Sequence, residues 1–294
     1  MLWPMAPETS TLKASDGSTI AVHHWPAAAP RGVLQLTHGM GEHALRYTEL
    51  ADALNASGWS VVAQDHRGHG ASAASEVDLG QLGPDGWPAL IADIGAVREL
   101  ARAIAPRGPL VLFGHSMGSF AVQQYLPQHS GGVDAVVLTG TAALDLLEPA
   151  LDLDAPLDLA MFNAPFAPAR TDFDWLSRDE AQVDAYIADH LCGFGLDVDG
   201  AKGLFAGARP LAASNALDGV RSNLPVYVAV GDMDPVNGQL ALVHPLVERY
   251  RSAGLTDVEL KTYPGARHEL TNETNRKEVV TDLLGWLDAR FTIA

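Results

Sequence analysis

A serine, an aspartate and a histidine each follow a short apolar stretch of this chain, in the order Ser116, Asp234 and His268. Ser116 lies at the centre of a G-x-S-x-G pattern, Gly114 to Gly118, which the apolar run Leu110 to Phe113 precedes. In a nucleophile elbow of this kind the serine stands on a strained turn between strand and helix, and the two glycines let these elements pack closely. A histidine can take the serine proton, while a carboxylate orients the imidazole and stabilises its charged form. These residue types in this order predict nucleophilic attack on an acyl carbonyl through an acyl-serine intermediate.

The acid of this trio has two candidates, because Asp232 and Asp234 follow the same predicted strand. A carboxylate at this point could instead hold the turn. We favour Asp234, which lies further from the strand and directly precedes Pro235. For the base we favour His268, since it is the histidine that follows the last predicted strand.

The negatively charged oxygen of a tetrahedral intermediate needs backbone N–H donors beside the serine. In elbow enzymes one donor is the amide of the residue after the nucleophile, here Met117, and the other comes from a loop after an earlier strand. That loop begins His38-Gly39, so we expect the amide of Met40 to be the second donor.

The same loops are also compatible with two other kinds of site. Gly39 to Ala44 also fits the G-x-G-x-x-A pattern of dinucleotide-binding oxidoreductases, and Asp65 stands where a ribose-binding acid is expected. Glu42 argues against this alternative, because its carboxylate would repel a pyrophosphate from the helix N-terminus. The second alternative is a metal site, whose ligands would be His38, His43, His66 and His69. These loops lack nearby cysteines and attack by a serine needs no metal, so we predict neither a metal nor a cofactor.

Strands and helices alternate along most of the chain, which predicts an α/β fold with a mostly parallel sheet covered by helices on both faces. Such sheets gather catalytic residues beyond the carboxyl ends of their strands. The predicted strands are a hairpin from Thr9 to Trp25, followed by Gly32 to Thr37, Trp59 to Gln64, Leu110 to Phe113, Ala135 to Leu138, Val226 to Val230 and Val258 to Tyr263. The predicted helices include one from Tyr47 to Leu54, one from Pro88 to Ala105, one after the elbow, one from Gln239 to Ser252 and one from Asn275 to Phe291.

One long segment interrupts this alternation. Residues 145–224 are rich in proline and contain short amphipathic stretches. Long insertions in a compact domain are usually functional, often as lids. We therefore predict an α/β core from residues 1–144 and 225–294 and an inserted helical cap from residues 145–224, with a small packing subdomain as the alternative. Apolar side chains that could line the cap are Leu151, Leu159, Met161, Phe162, Phe166, Phe173 and Trp175.

The composition excludes several classes of protein. A formal charge of −17 argues against nucleic acid or anionic membrane surfaces as partners, since both require a basic footprint. No apolar run is long enough to cross a bilayer, and Met1 to Ser10 lacks the basic and hydrophobic regions of a signal peptide. The single cysteine, Cys192, suits a reducing compartment and is expected to be a small buried hydrophobe. We therefore expect a soluble, cytoplasmic protein.

Taken together, the motifs resemble those of one family, the monoacylglycerol lipases and the lysophospholipase-like or serine aminopeptidase-type alpha/beta-hydrolases. The resemblance covers most of the chain and is looser in the predicted cap. The residues that carry it are His38 to His43, Arg46, Tyr47, Asp65 to Gly70, Gly114 to Gly118, Gly231 to Asp234 and Arg267 to Leu270.

This resemblance implies an alpha/beta-hydrolase fold, the same three catalytic residues and the same two amides as oxyanion donors. It also implies that the cap forms an acyl channel. Family members that dock on membranes use an apolar cap surface, whereas this predicted cap is rich in aspartate, so we expect contact with membranes or lipid aggregates to be at most transient. Glu42 and Arg46 would lie near the polar head of the substrate or would pair to brace their loop. We therefore predict a serine hydrolase that cleaves small-molecule acyl esters, above all monoacylglycerols. The alternatives are a broader carboxylesterase, a lysophospholipase or, less favoured, a peptidase, and from another class a non-catalytic binding protein; the sequence predicts no oligomeric state.

Overall fold

The computed structural model describes residues 6–291, so residues 1–5 and 292–294 of the predicted core lie outside the described part. Eight strands form one sheet. In chain order they are β1 (Glu8–Lys13), β2 (Thr19–Trp25), β3 (Gly32–Thr37), β4 (Trp59–Gln64), β5 (Leu110–His115), β6 (Ala135–Thr139), β7 (Val226–Gly231) and β8 (Val258–Tyr263).

The strands lie in the spatial order β1-β2-β4-β3-β5-β6-β7-β8. β1 and β2 form an antiparallel hairpin, β2 runs antiparallel to β4, and all later pairs are parallel. Every residue of β3 to β7 is buried, which explains why these strands are mainly apolar. The edge strand β8 is partly exposed, and apolar and polar residues alternate along most of it. The prediction of a mostly parallel sheet is confirmed.

Helices cover both faces of the sheet. Successive residues of β5 illustrate this, since Val111 and Phe113 pack in the apolar layer beneath one set of helices and Leu112 packs in the layer beneath the other set. The helices are α1 (Thr48–Ala56), α2 (Gly86–Ile104), α3 (Met117–His129), α4 (Leu144–Leu147), α5 (Glu180–Ala188), α6 (Val198–Ala208), α7 (Val243–Ser252) and α8 (Arg276–Arg290). α1 and α8 cover the first face, while α2, α3, α6 and α7 contribute to the layer on the second.

The bounds of most elements differ from the predicted ones by one to three residues. One prediction was wrong by more: the helix expected to start at Gln239 begins at Val243. Gln239 and Leu240 have φ angles of 53° and 76°, in the left-handed region that an α-helix cannot use. The side chain of Asn237 accepts a hydrogen bond from the Leu240 amide at 2.8 Å and so stabilises a turn here instead.

The inserted segment, residues 145–224, lies between β6 and β7 and contains α5, α6 and several short 3₁₀ turns. Aspartates begin three of its helical pieces: Asp158, Asp179 and Asp197 each accept a hydrogen bond from a backbone amide of the first turn. The high aspartate content of the segment is thus partly a consequence of helix capping. α6 packs on α2 and α3 of the core. Within residues 6–291, no helix combines the length and the apolar character that a bilayer crossing requires.

Candidate active site

The G-x-S-x-G turn joins β5 to α3. Ser116 has a φ of 50°, a strained conformation for a residue with a side chain, and it immediately precedes the first residue of α3. A Cβ atom on Gly118 would lie 2.2 Å from the Thr37 carbonyl oxygen, and one on Gly114 would lie 2.7 Å from Ser119 Cα. Only glycine at these two positions allows the strand and the helix to approach this closely.

The structure brings Asp234 and His268 together. Asp234 Oδ2 lies 2.9 Å from His268 Nδ1, and both side chains are buried. The other oxygen of Asp234 accepts from the Val236 amide at 2.9 Å, which fixes the carboxylate. Asp232 has a different contact, since its Oδ1 accepts from the Gly265 amide at 2.7 Å in the turn after β8.

His268 and Ser116 line the same cavity. Burial alone would lower the pKa of His268, but the Asp234 carboxylate and its hydrogen bond, with Glu269 and Glu42 nearby, outweigh burial and raise the pKa. Among the described residues, no hydrogen bond joins Ser116 Oγ to His268. Contacts between a nucleophile and its base are often long before substrate binds, and both residues border the cavity in which this contact would form.

Met40 and Met117 are both on the wall of this cavity, as are Gly39 and Ser116. Within the described part of the chain, neither the Met40 nor the Met117 amide donates to a protein acceptor. Met117 is the first residue of α3, where amides have no partner within the helix. Two free N–H groups beside a serine can stabilise a developing oxyanion.

Glu42 holds the loop that carries Met40 in place through hydrogen bonds. Its Oε1 accepts from the Gly39 amide at 2.6 Å and from the Tyr47 hydroxyl at 2.7 Å, and its Oε2 accepts from Arg46 at 2.8 Å. Glu42 also borders the cavity, whereas Arg46 is not part of the cavity wall among the described residues. Arg46 therefore stabilises the loop, whereas Glu42 both stabilises the loop and faces the cavity.

Glu269 is a site residue for which the sequence analysis made no separate prediction. Both of its oxygens accept from Arg46, at 2.5 and 2.8 Å, so Arg46 links it to Glu42. Despite burial, Arg46 lowers the pKa of Glu269 to about 2, whereas burial raises the pKa of Glu42. Glu269 borders the cavity directly after His268 in the chain, and the sequence signals for it were this position and its place in the Arg267 to Leu270 motif.

The dinucleotide alternative does not fit the structure. The Glu42 side chain takes up the Gly39 amide that a phosphate would need. Asp65 is buried and holds loops together, since its carboxylate accepts from the Ala44 and Ala71 amides at 2.9 and 2.8 Å and lies 3.1 Å from His23 Nε2. Because Asp65 is buried, a ribose cannot reach its carboxylate.

The four loop histidines do not form one group. His38, His66 and His69 are buried and pack against one another, with ring centroids 4.4 to 6.2 Å apart, whereas Nε2 of His43 lies 2.9 Å from Asp189 Oδ2. His38 Nδ1 lies 2.8 Å from the Gly39 carbonyl, and its Nε2 accepts from the His66 amide at 2.9 Å. This pair of contacts requires a neutral His38.

Acid is expected to destabilise the protein through these three histidines. Burial lowers the pKa of His66 to about 3 and of His69 to about 4, and lowers the pKa of His38 well below its ordinary value of 6.5. Below pH 6.5 the unfolded chain binds protons at these positions that the folded chain does not, so stability falls as the pH falls towards 4. Each group contributes about 1.4 kcal/mol per pH unit at most. Urea unfolding over this range measures the slope.

The matched variants are His66→Leu, which removes one of the buried imidazoles, and His190→Gln, which replaces an exposed one. The first is expected to reduce the dependence of the unfolding free energy on pH, and the second is expected to leave it as in the wild type. If the unfolding free energy of His66→Leu depended on pH as strongly as that of the wild type, His66 would not be a source of the acid sensitivity.

The cavity beside Ser116, together with the open solvent at its mouth, contains about 660 Å³ of space not filled by protein atoms. Most of its wall is apolar. The polar side chains are Glu42, His115, Ser116, Asp158, Tyr186, His268 and Glu269, and the apolar ones include Phe120, Leu144, Leu147, Leu151, Leu157, Leu159, Met161, Phe162, Trp175, Leu176, Leu204, Phe205 and Val236.

Several known proteins are similar to this chain in sequence or in fold. The chain is 34% identical over 287 residues to a monoacylglycerol lipase of Mycolicibacterium smegmatis, an alignment that covers 92% of this chain and 93% of that protein. It is 31% identical over 292 residues to the monoglyceride lipase of Mus musculus, covering 95% and 90% of the two chains. A solved structure of a thermostable carboxyl esterase from Bacillus coagulans, in complex with glycerol, superposes with a TM-score of 0.86 at 25% identity, covering 98% of this chain and all (100%) of that one.

The family described as serine aminopeptidase, S33, matches residues 28–275, which include β3 to β8 and every residue of the site described above. With the eight-stranded sheet and the serine elbow, this match identifies the chain as a member of the serine aminopeptidase S33 family, with the alpha/beta-hydrolase fold.

Proposed function

We propose that this protein is a serine hydrolase of carboxylic esters whose substrates are monoacylglycerols. The observation that carries the proposal is the cavity beside Ser116. Most of its wall is apolar, while Glu42, His115 and Glu269 lie around His268 and Arg46. A monoacylglycerol likewise has an apolar part and a polar part, a long acyl chain and a small glycerol group that bears two hydroxyls. The names of the relatives in M. smegmatis and mouse support this choice.

In the proposed reaction, His268 Nε2 accepts the hydroxyl proton of Ser116 while Ser116 Oγ attacks the ester carbonyl carbon. Asp234, 2.9 Å from Nδ1, holds the imidazole in the tautomer that leaves Nε2 free and stabilises the imidazolium. The Met40 and Met117 amides donate to the oxyanion. The bond from the carbonyl carbon to the glycerol oxygen then breaks, and the imidazolium protonates that oxygen. Water attacks the acyl-serine by the same steps and releases the fatty acid.

Hydroxyl groups suit the polar end of the cavity better than a charged ammonium group does. All four carboxylate oxygens of Glu42 and Glu269 already accept from protein donors, which include Arg46, Tyr47 and Asn272. Glu42 Oε2 and Glu269 Oε1 each accept a single hydrogen bond, so each retains a lone pair for a hydroxyl of glycerol. An aminopeptidase would instead need a carboxylate free to pair with the substrate's α-ammonium group. The arrangement therefore favours glycerol esters over aminoacyl substrates.

We also propose that residues 145–224 form a cap that supplies much of the acyl channel over a core made by residues 1–144 and 225–294. Three of its apolar side chains, Leu146, Met161 and Ile187, are more than 40% exposed and could make transient contact with lipid aggregates. A cytoplasmic location remains part of the proposal. The cap residues on the cavity wall are Leu147, Leu151, Leu157, Asp158, Leu159, Met161, Phe162, Trp175, Leu176, Tyr186, Leu204 and Phe205.

Wild-type protein is expected to hydrolyse monoacylglycerols with a kcat/KM that rises with acyl length until the apolar wall is covered. Each buried methylene contributes about 0.8 kcal/mol, or roughly a fourfold gain. Release of fatty acid is measured for octanoyl to stearoyl glycerol and for the methyl esters of the same acids, with lysophosphatidylcholine and aminoacyl anilides as further substrates. Faster cleavage of methyl esters would favour a broad carboxylesterase, and faster cleavage of lysophosphatidylcholine a lysophospholipase.

Two neighbouring leucines of α4 offer a matched pair for the same substrate series. Leu147 lines the cavity, whereas Leu146 is exposed. Leu147→Trp fills part of the proposed acyl channel, so it is expected to shift the preferred acyl length downwards. Leu146→Trp is expected to keep the wild-type preference. Equal profiles for the two variants would place the acyl chain elsewhere.

A further inference from the structure

Three side chains of metal-ligand type meet where the inserted segment contacts the loop after β3. His43 belongs to that loop, while Asp189 and Cys192 follow α5. One ligand atom from each, a histidine nitrogen, a carboxylate oxygen and the thiol sulfur, lie within 4.8 Å of one another. His43 Nε2 and Asp189 Oδ2 are 2.9 Å apart. His43 is a candidate metal ligand from the sequence alone, whereas no local pattern places Cys192 near it.

Backbone contacts hold the three residues in place. The Cys192 amide donates to the Asp189 carbonyl at 3.0 Å, and the Leu191 amide donates to Asp189 Oδ1 at 2.9 Å, so a tight turn places the carboxylate beside the thiol. The Gly193 amide donates to the Gly41 carbonyl at 3.0 Å and joins this turn to the loop that carries His43. The separation of the ligand atoms is therefore set by the fold.

Two of the three proposed ligands are accessible to solvent, and one of them, Asp189, is a carboxylate. The Asp189 side chain is 31% exposed and Cys192 is partly exposed, so an ion can enter from solvent.

We propose that His43, Asp189 and Cys192 bind Zn²⁺, with water as the fourth ligand. One nitrogen, one oxygen and one sulfur are a ligand set that Zn²⁺ accepts in tetrahedral geometry, and soft thiolate excludes Mg²⁺ and Ca²⁺. On binding, the Cys192 thiol releases one proton to solvent. The proton on His43 Nε2 moves through solvent to Nδ1, and Asp189 exchanges its hydrogen bond with His43 for the metal bond. The ion then links the inserted segment to the loop that carries Met40.

This site is separate from the proposed catalytic chemistry, so its test needs no substrate. Zn²⁺ binding is measured by isothermal titration calorimetry of the full-length protein, and Co²⁺ binding by the visible and near-ultraviolet absorption that a cobalt–thiolate bond produces. Wild-type protein is expected to bind one Zn²⁺ and to show the thiolate band with Co²⁺. Cys192→Ser and Asp189→Asn are expected to bind Zn²⁺ roughly a hundredfold more weakly or worse, and Cys192→Ser is expected to lose the band.

His190→Gln is the matched control, because His190 lies in the same turn but is exposed. It is expected to bind Zn²⁺ as the wild type does, which distinguishes the proposed site from adventitious surface binding. A rise in melting temperature with Zn²⁺ in the wild type but not in Cys192→Ser would confirm that the folded site binds the ion. No binding at millimolar Zn²⁺, or equal binding by the wild type and Cys192→Ser, would overturn the proposal.

Discussion

Ser116→Ala is expected to lower kcat for ester hydrolysis by roughly a millionfold, the loss seen when a serine hydrolase lacks its nucleophile. Without Oγ there is no atom to form the acyl bond, and the remaining oxyanion donors support only a slow direct attack by water. Fatty acid release from a monoacylglycerol measures the loss. Mass spectrometry of the intact protein after treatment with a fluorophosphonate provides a second measurement, since the wild type is expected to gain one adduct and the variant none.

The control for this variant is Ser119→Ala, one turn along α3. The Ser119 hydroxyl donates to the Ser116 carbonyl at 2.7 Å, so its loss is expected to cost about 1 kcal/mol of stability and to leave most of the turnover. Wild-type turnover in Ser116→Ala, or a fluorophosphonate adduct on another residue, would disprove the proposed nucleophile.

Asp234→Asn is expected to reduce kcat about ten-thousandfold, because an amide facing His268 Nδ1 favours the tautomer in which Nε2 carries the proton and cannot act as a base. The matched variant is Asp232→Asn, two residues earlier. It weakens only the contact with the Gly265 amide, so we expect a loss of about 1 kcal/mol of stability and near wild-type kcat. Steady-state kinetics and thermal unfolding of both variants separate the two effects. The reverse ranking would make Asp232 the catalytic acid.

Much of the fold could be predicted because local patterns and tertiary structure agree. A buried parallel strand is recognisable as an apolar run such as Leu110 to Phe113. The short glycine-flanked turn that follows it indicates a closely packed helix after the strand. Where local and tertiary preferences differ, the prediction failed. Residues 239–242 have helix-compatible types, but contacts with Asp234 and Asn237 hold them in a turn with positive φ angles.

The candidate site likewise contains residues that the sequence predicts and a residue whose role only the structure shows. Ser116 and His268 could be named from the sequence because each follows a predicted strand, and parallel strands bring their carboxyl ends to one edge of the sheet. Their catalytic roles stay predictions until the variants are measured. Glu269 lies in the Arg267 to Leu270 motif, but its role could not be predicted, because that role depends on Arg46, which is distant in the chain and reaches it only after folding.

The sequence by itself determined the class of fold and the three residue types with which this protein would cleave an ester, because strand periodicity and the elbow motif are local properties. Only the tertiary structure decided which aspartate contacts His268, that Arg46 joins Glu42 to Glu269, and that Cys192 lies beside His43. These contacts join residues far apart in the chain, and no local pattern encodes a distance between two loops. Side-chain reach and the packing of the inserted segment on the core set those distances.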